Sequence, residues 1–309
     1  MNGALACLMG RSAPAGRSAG GTRHAIGAYG CVFAGVGGSM RHFIPRAATA
    51  AAIACLLQAV TAPVRAAPAC EVASGSQVVP LVELYTSEGC NSCPPADAWL
   101  TRLAAREDAA ATSLLAFHVD YWDDIGWVDR FGAAAHTRRQ RARVTLDKGT
   151  TVFTPQVMIG ADTRVDWRDE GDARRALRTA KGKSSPVSLV MRVVPADDRV
   201  RVGIKAAPVG GTVAGRGMLW LALYQDGLRT EVRAGENQGR TLRHDRVVRT
   251  LEGPWDVGMA PVVGEATIRY PEGADPATLG LVLFAESIED GRGWQSLNLP
   301  LAACARPEP

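Results

Sequence analysis

The chain has 309 residues, 47% of them hydrophobic and 21% charged, the balance of a folded protein of one or two domains rather than a disordered one. Its net charge of +4 is local: residues 1–66 hold six arginines and no acid, leaving 29 bases against 31 acids beyond them. That near-neutral remainder removes the compositional case for nucleic-acid binding.

Residues 1–39 are rich in Gly, Ala and Arg without a hydrophobic period, and read as a disordered or mis-started extension. From Met40 to Ala66 the pattern is that of a secretory signal. Arg41 and Arg46 form its positive end, Ala47 to Val60 its apolar run, and Val64 and Ala66 stand where small residues precede a cleavage site. The run of about 14 residues is shorter than the roughly 20 needed to span a bilayer. The expectation is export to the periplasm or beyond, with no membrane span in the mature chain. Four cysteines remain past the signal: Cys70, Cys90, Cys93 and Cys304. In an oxidising compartment an even number favours pairing, and Cys70–Cys304, near the two mature ends, is expected as a structural disulfide.

Strand-like and helix-like segments alternate over 78–183. Val78 to Tyr85 is a β-rich run, and a helix begins near Pro94, with Ala96, Trp99, Leu100 and Leu103 at helical spacing. Leu114 to Val119 reads as a buried strand. Phe131 to Leu146 reads as a helix whose arginines at 138, 139, 141 and 143 line a solvated face. Gln156 to Ile159 and Thr163 to Trp167 form a strand and its hairpin partner, and a polar helix runs from Asp169 to about Lys181. From 184 to 303 short alternating strands follow one another between Gly, Pro and Asp turns, with a boundary near Gly182–Pro186. The expected fold class is an α/β domain at 78–183 followed by an all-β, sandwich-like domain at 184–303.

The chemistry-bearing run is Glu88-Gly89-Cys90-Asn91-Ser92-Cys93-Pro94-Pro95. A strand leads to the first cysteine and a helix starts at the second. Unpaired N–H groups and the helix dipole there favour a thiolate, the form that attacks disulfides. Pro94 and Pro95 suit a first helical turn. Cys90 is the expected nucleophile and Cys93 the resolving thiol of a thiol–disulfide oxidoreductase. No second C-x-x-C or H-x-x-H completes a zinc set, so no metal is assigned. No organic cofactor is required either, because two cysteines carry both electrons. G-x-S-x-G and P-loop motifs are missing from the sequence.

Thr154-Pro155, ahead of Gln156 to Ile159, matches the cis-proline element that docks substrate backbone opposite a C-x-x-C in thioredoxin-like folds. The runs Val82 to Cys90, His118 to Asp123, Phe153 to Gln156, Gly235 to Leu242 and Val247 to Arg249 together resemble a family of exported bacterial proteins, domain-of-unknown-function family 1223. The resemblance implies a thioredoxin-like fold for the first domain and export; the partner expected from the cysteine chemistry is a protein or small-molecule thiol or disulfide. It does not carry over a redox poise, since Asn91-Ser92 is neither of the best-known intervening pairs.

His118 and Asp120 lie at a strand end expected beside the C-x-x-C. His118 is a candidate for proton transfer, or with the cysteines a ligand for Cu(I); its plainer role is a hydrogen-bonded strand histidine with Asp120 capping the next turn. Tyr121, Trp122 and Trp127 read as packing beneath a loop, and Glu236, Asn237 and His244 as a structural turn. The alternative to an oxidoreductase is a non-catalytic binding module of the cell envelope.

Overall fold

The computed structural model describes residues 69–211, 215–258 and 260–304; the extension and signal read at 1–39 and 40–66 lie outside them. In chain order the elements are β1 (Cys70–Ala73), β2 (Leu81–Thr86), α1 (Pro94–Arg106), β3 (Ser113–His118), α2 (Ala134–Leu146), β4 (Gln156–Ile159), β5 (Asp162–Val165) and α3 (Glu170–Lys181). Then come β6 (Val187–Pro195), β7 (Arg199–Pro208), β8 (Gly217–Gln225), β9 (Leu228–Glu231), β10 (Thr241–His244), β11 (Val247–Val257), β12 (Val262–Arg269), β13 (Leu279–Ser287), β14 (Gly293–Pro300) and α4 (Leu301–Cys304).

The expected thioredoxin-like α/β unit followed by a separate sandwich is not what forms. Strands from both halves join one eight-stranded mixed sheet in the order β14-β13-β8-β11-β3-β2-β4-β5. The seam is β3, which pairs in parallel with β2 on one side and meets β11 in parallel at Ala116–Val247 on the other. Ala116 N–H donates to the Arg246 carbonyl across it, at 2.8 Å. An edge strand offers unpaired backbone groups to whatever chain can reach them, and here the second half of the chain takes that edge. Periodicity reveals strands but not which ones pair, and this is why the sheet's extent was not legible.

Burial follows the pairing. All six residues of β2, β3 and nine of β13 are buried, as expected for strands covered on both faces. One face of the large sheet is covered twice. At the β8–β13 end a four-stranded sheet, β1-β6-β7-β12, lays Leu189, Met191, Val202 and Ile204 against Leu221, Leu223, Leu281 and Leu283. At the β2–β4 end, α1 and α3 set Ala96, Leu100, Ala173 and Leu177 against Val82, Leu84 and Val157. The opposite face is continuous, with Tyr85, Phe117, Tyr224 and Phe284 packed together and Val144 of α2 against them. The two sheets are stapled at their ends: Cys70 on β1 is bonded to Cys304 on α4, as the cysteine pattern predicts. Closing so long a loop contributes at most roughly 5 kcal/mol in the chain-entropy account.

One local reading is corrected. Of the arginines on α2, Arg138 and Arg141 are exposed, but Arg139 and Arg143 are buried. Four residues apart, they share the face turned toward the sheet. Arg139 Nε donates to Glu83 and its two terminal nitrogens to Glu286, each at 2.8 Å. The partners lie 56 and 147 residues away in sequence, so the run looks solvated until the chain is folded.

Candidate active site

The Cys-x-x-Cys run occupies the turn between β2 and α1, above the C-terminal ends of the parallel pair β2 and β3. Cys93 is the residue capping α1, with Pro94 and Pro95 in the first turn as their missing N–H groups favour. Cys90 and Cys93 are joined as a disulfide. Both sulfur-bearing residues are fully buried, while Asn91 and Ser92 between them are exposed. Ser92 Oγ lies 3.3 Å from Cys90 Sγ.

What covers and holds this turn comes largely from distant chain. Buried Asn237 donates from Nδ2 to the carbonyls of Glu88 (2.8 Å) and Cys90 (2.9 Å). Glu236 accepts from the Asn91 N–H at 3.1 Å. Gly235 (φ 71°) presses against Gly126 closely enough that a Cβ on Gly126 would stand 3.4 Å from the Gly235 Cα. The segment 235–240 is therefore a clasp on the C-x-x-C turn, a more specific part than the structural turn expected for Glu236 and Asn237. Trp122 closes another side: its Cβ would meet a side chain on Gly89 at 3.1 Å, and its Nε1 donates to Thr154 Oγ1 at 2.8 Å. Through Trp122, Thr154-Pro155 is tied to the cysteine turn, and that bond is cis. Trp127 donates to Glu88 Oε2 at 2.9 Å. Both tryptophans thus hydrogen-bond site residues rather than merely packing.

Beneath the turn lies a buried set of ionisable groups. His118 Nδ1 is 2.6 Å from Asp129 Oδ2, which also accepts the Glu88 N–H at 2.8 Å. Burial alone would raise the Asp129 carboxyl, but the attraction of His118 and the hydrogen bonds from His118, Glu88 and Phe131 outweigh it and hold it at about 2. His244, at the end of β10, stands edge-on to His118 with ring centres 4.9 Å apart. It lies between Glu88 Oε1 at 3.3 Å and Asp97 Oδ2 at 3.6 Å. These are ion-pair contacts without hydrogen-bond geometry. Burial works against a charge on His244, yet the two carboxylates prevail and lift it to about 9. Asp97 sits one helical turn after Cys93 and donates its N–H to the Cys93 carbonyl at 3.1 Å. His244 thus bridges the residue two before Cys90 and the residue four after Cys93.

Of the residues singled out from sequence, Cys90, Cys93, His118 and Thr154-Pro155 converge on this region. Asp120 is held elsewhere in the local frame, accepting from Thr137 Oγ1 on α2 at 2.5 Å. Asp97 and Asp129 carried no local signal: each is one acid in a polar stretch until the fold buries it beside a histidine. Among the described residues, no group of three or more His, Cys, Asp or Glu has metal-holding geometry.

A family model described as a protein of unknown function (DUF1223) matches residues 81–286, more than half of the chain. The chain belongs to this family. The matched region of this chain runs from the start of β2 to all but the last residue of β13, and so takes in the eight-stranded sheet apart from β14, together with the cysteine turn and its clasp. No curated protein matches the sequence. Among solved structures, protein AGR_C_4864 from Agrobacterium tumefaciens is 22% identical, with 76% of this chain and 100% of that one covered at a TM-score of 0.55. HBP35 of Porphyromonas gingivalis is 10% identical over 76% of this chain and 80% of its own, also at 0.55. At these identities the likeness is one of fold.

Proposed function

We propose that the protein is an exported thiol–disulfide exchange protein working through Cys90 and Cys93. The observation that carries the reading is the placement of this disulfide. It closes a strand-to-helix turn over a buried set of ionisable groups, Glu88, Asp97, Asp129, His118 and His244, on which a staple alone would make no demand. In the reduced protein, a Cys90 thiolate attacks a partner disulfide and releases one partner thiol. Cys93 then attacks the mixed disulfide, re-forming Cys90–Cys93 and releasing the second thiol. Two electrons pass to the partner, and the two protons lost by the cysteines end on its thiols.

Support for a protein partner comes from the rim. Ile125, Val128 and Phe153 are exposed apolar side chains, and the loops carrying them are bound to the turn through Trp127–Glu88 and Trp122–Thr154. Exposed apolar groups gathered round a reactive site suit peptide contact. Export is supported by the signal-like segment 40–66 and by the Cys70–Cys304 disulfide. No helix among the described residues is long and apolar enough to cross a membrane.

One observation favours a second reading. Both cysteines are fully buried, as befits a disulfide that only braces the turn. Thiol trapping across a glutathione series, with peptide mapping to read Cys90–Cys93 apart from Cys70–Cys304, separates the two. Exchange requires a potential of roughly −270 to −120 mV reached without unfolding, and loss of turnover in Cys90→Ser. A pair that stays oxidised below roughly −300 mV, or opens only in denaturant, is a brace.

A further inference from the structure

A groove of about 550 Å³ leads away from the cysteine turn between α1 and the β9–β10 hairpin. Its helix wall is Pro94, Asp97, Ala98, Thr101 and Arg102, which share one face at helical spacing. His244 meets Asp97 at 3.6 Å and, one residue on, Asp245 accepts from Thr101 Oγ1 at 2.7 Å. Strand and helix therefore run side by side in the same direction, and Pro94 and Arg240 stand at the cysteine end. Arg240 is tied to the turn itself: it donates at 2.9 Å to Asn237, which holds the Cys90 carbonyl. From Pro94 to Arg102 the helix rises about 12 Å, the reach of about four residues of extended peptide.

Arginines without partners rim this groove. Arg229 and Arg243 stand directly opposite each other across the hairpin, a pairing that costs stability when the charges are alike. With Arg102 and Arg240 they are exposed, and none of the four forms an ion pair among the described residues. The acids within reach do not offset them. Asp97 and Glu88 share His244, while Asp245 is taken by Thr101 and the Gly227 N–H. Four arginines and His244 thus stand against Asp97, Glu88 and Asp245, an excess of two positive charges. The flanking charges cancel: Arg130, which donates to the Arg229 carbonyl at 3.0 Å, and Arg233 against Glu231 and Glu236, and Arg246 against Asp226. Carboxylates are the groups that guanidinium forks bind best, and two of them balance the groove.

We propose that the groove docks an acidic stretch of the partner protein, an extended segment with at least two carboxylates, laid along α1 with one end at the cysteine turn. The partner role rests on the exchange reading, whereas binding in the groove does not. Titration calorimetry of the oxidised full chain with N-acetylated, amidated tetraglutamate and with its glutamine counterpart reads the binding with no thiol involved. One saturable site for the glutamate peptide is expected, with the glutamine peptide at least tenfold weaker. Arg229→Ser combined with Arg243→Ser should weaken the glutamate peptide at least tenfold. Both side chains are exposed and repel each other, so this variant stays folded. Arg138→Ser with Arg141→Ser removes the same charge from the exposed face of α2 and should leave the affinity within about twofold. No saturable binding, equal affinity for the two peptides, or an equal loss in the two variants would each overturn the assignment. Charge-selective binding beside a Cys90–Cys93 pair that opens only in denaturant would support the groove and refute the exchange reading instead.

Discussion

Replacing His244 by glutamine isolates the electrostatics under the cysteine turn. His244 is nearly inaccessible and lies 3.3 Å from Glu88 and 3.6 Å from Asp97, which lift it from 6.5 to about 9. A folded-state value above the unfolded one means that protonation favours the fold. The contribution is complete below about pH 6.5 and is lost as pH rises through about 9. At 1.36 kcal/mol per unit, the difference amounts to about 3 kcal/mol. Urea unfolding from pH 5 to 10 should show the native protein losing about that much between pH 6.5 and 9. His244→Gln should lack that fall, be the weaker protein near pH 6, and converge with the native one above pH 9. Burial pushes His136 down to about 4, so the loss it causes as pH falls from 6.5 should appear in both proteins, whereas the Glu88 carboxyl, which His244 helps hold below its ordinary value, should lose that support in the variant. If His244→Gln falls as steeply as the native protein between pH 6.5 and 9, the ion-pair account of His244 is wrong.

Three further outcomes are expected. Asn237→Ala removes the side-chain donor to the Glu88 and Cys90 carbonyls, leaving Cys90 only the Cys93 N–H, and should cost about 1–3 kcal/mol and speed reduction of Cys90–Cys93 by dithiothreitol; an unchanged reduction rate would show that the clasp does not guard the disulfide. Arg139→Met leaves Glu83 and Glu286 without their principal partner and should destabilise by about 3–5 kcal/mol. That loss should shrink when Glu286→Gln is combined with it, as a double-mutant cycle in urea would reveal. Replacing both Cys70 and Cys304 by serine should lower unfolding free energy by at most roughly 5 kcal/mol without altering the Cys90–Cys93 potential; a shifted potential would mean the two ends of the fold are coupled.

Local order along the chain was legible because its causes are local. Alternation in Val187 to Val193 produced β6, and the spacing of Ala96 and Leu100 with two prolines at its start produced α1. The same holds for the site's reactive pair: a strand, a cysteine, two residues and a second cysteine at a helix start are neighbours in sequence. The hairpin strands β9 and β10 are not legible in this way, since four-residue strands rich in Arg and Thr carry little hydrophobic signal.

By itself, then, the sequence determined most of the elements, the cysteine turn and the pairing of Cys70 with Cys304. Tertiary structure alone decided that β11 would take the free edge of β3 and merge two expected domains into one sheet. It alone set Asn237 on the Cys90 carbonyl, His244 between Glu88 and Asp97, and Arg139 between Glu83 and Glu286. The physical reason is common to all four. A backbone edge, an amide or a charge can leave water only where a partner replaces it, and these partners stand tens to more than a hundred residues away, where no local pattern announces them.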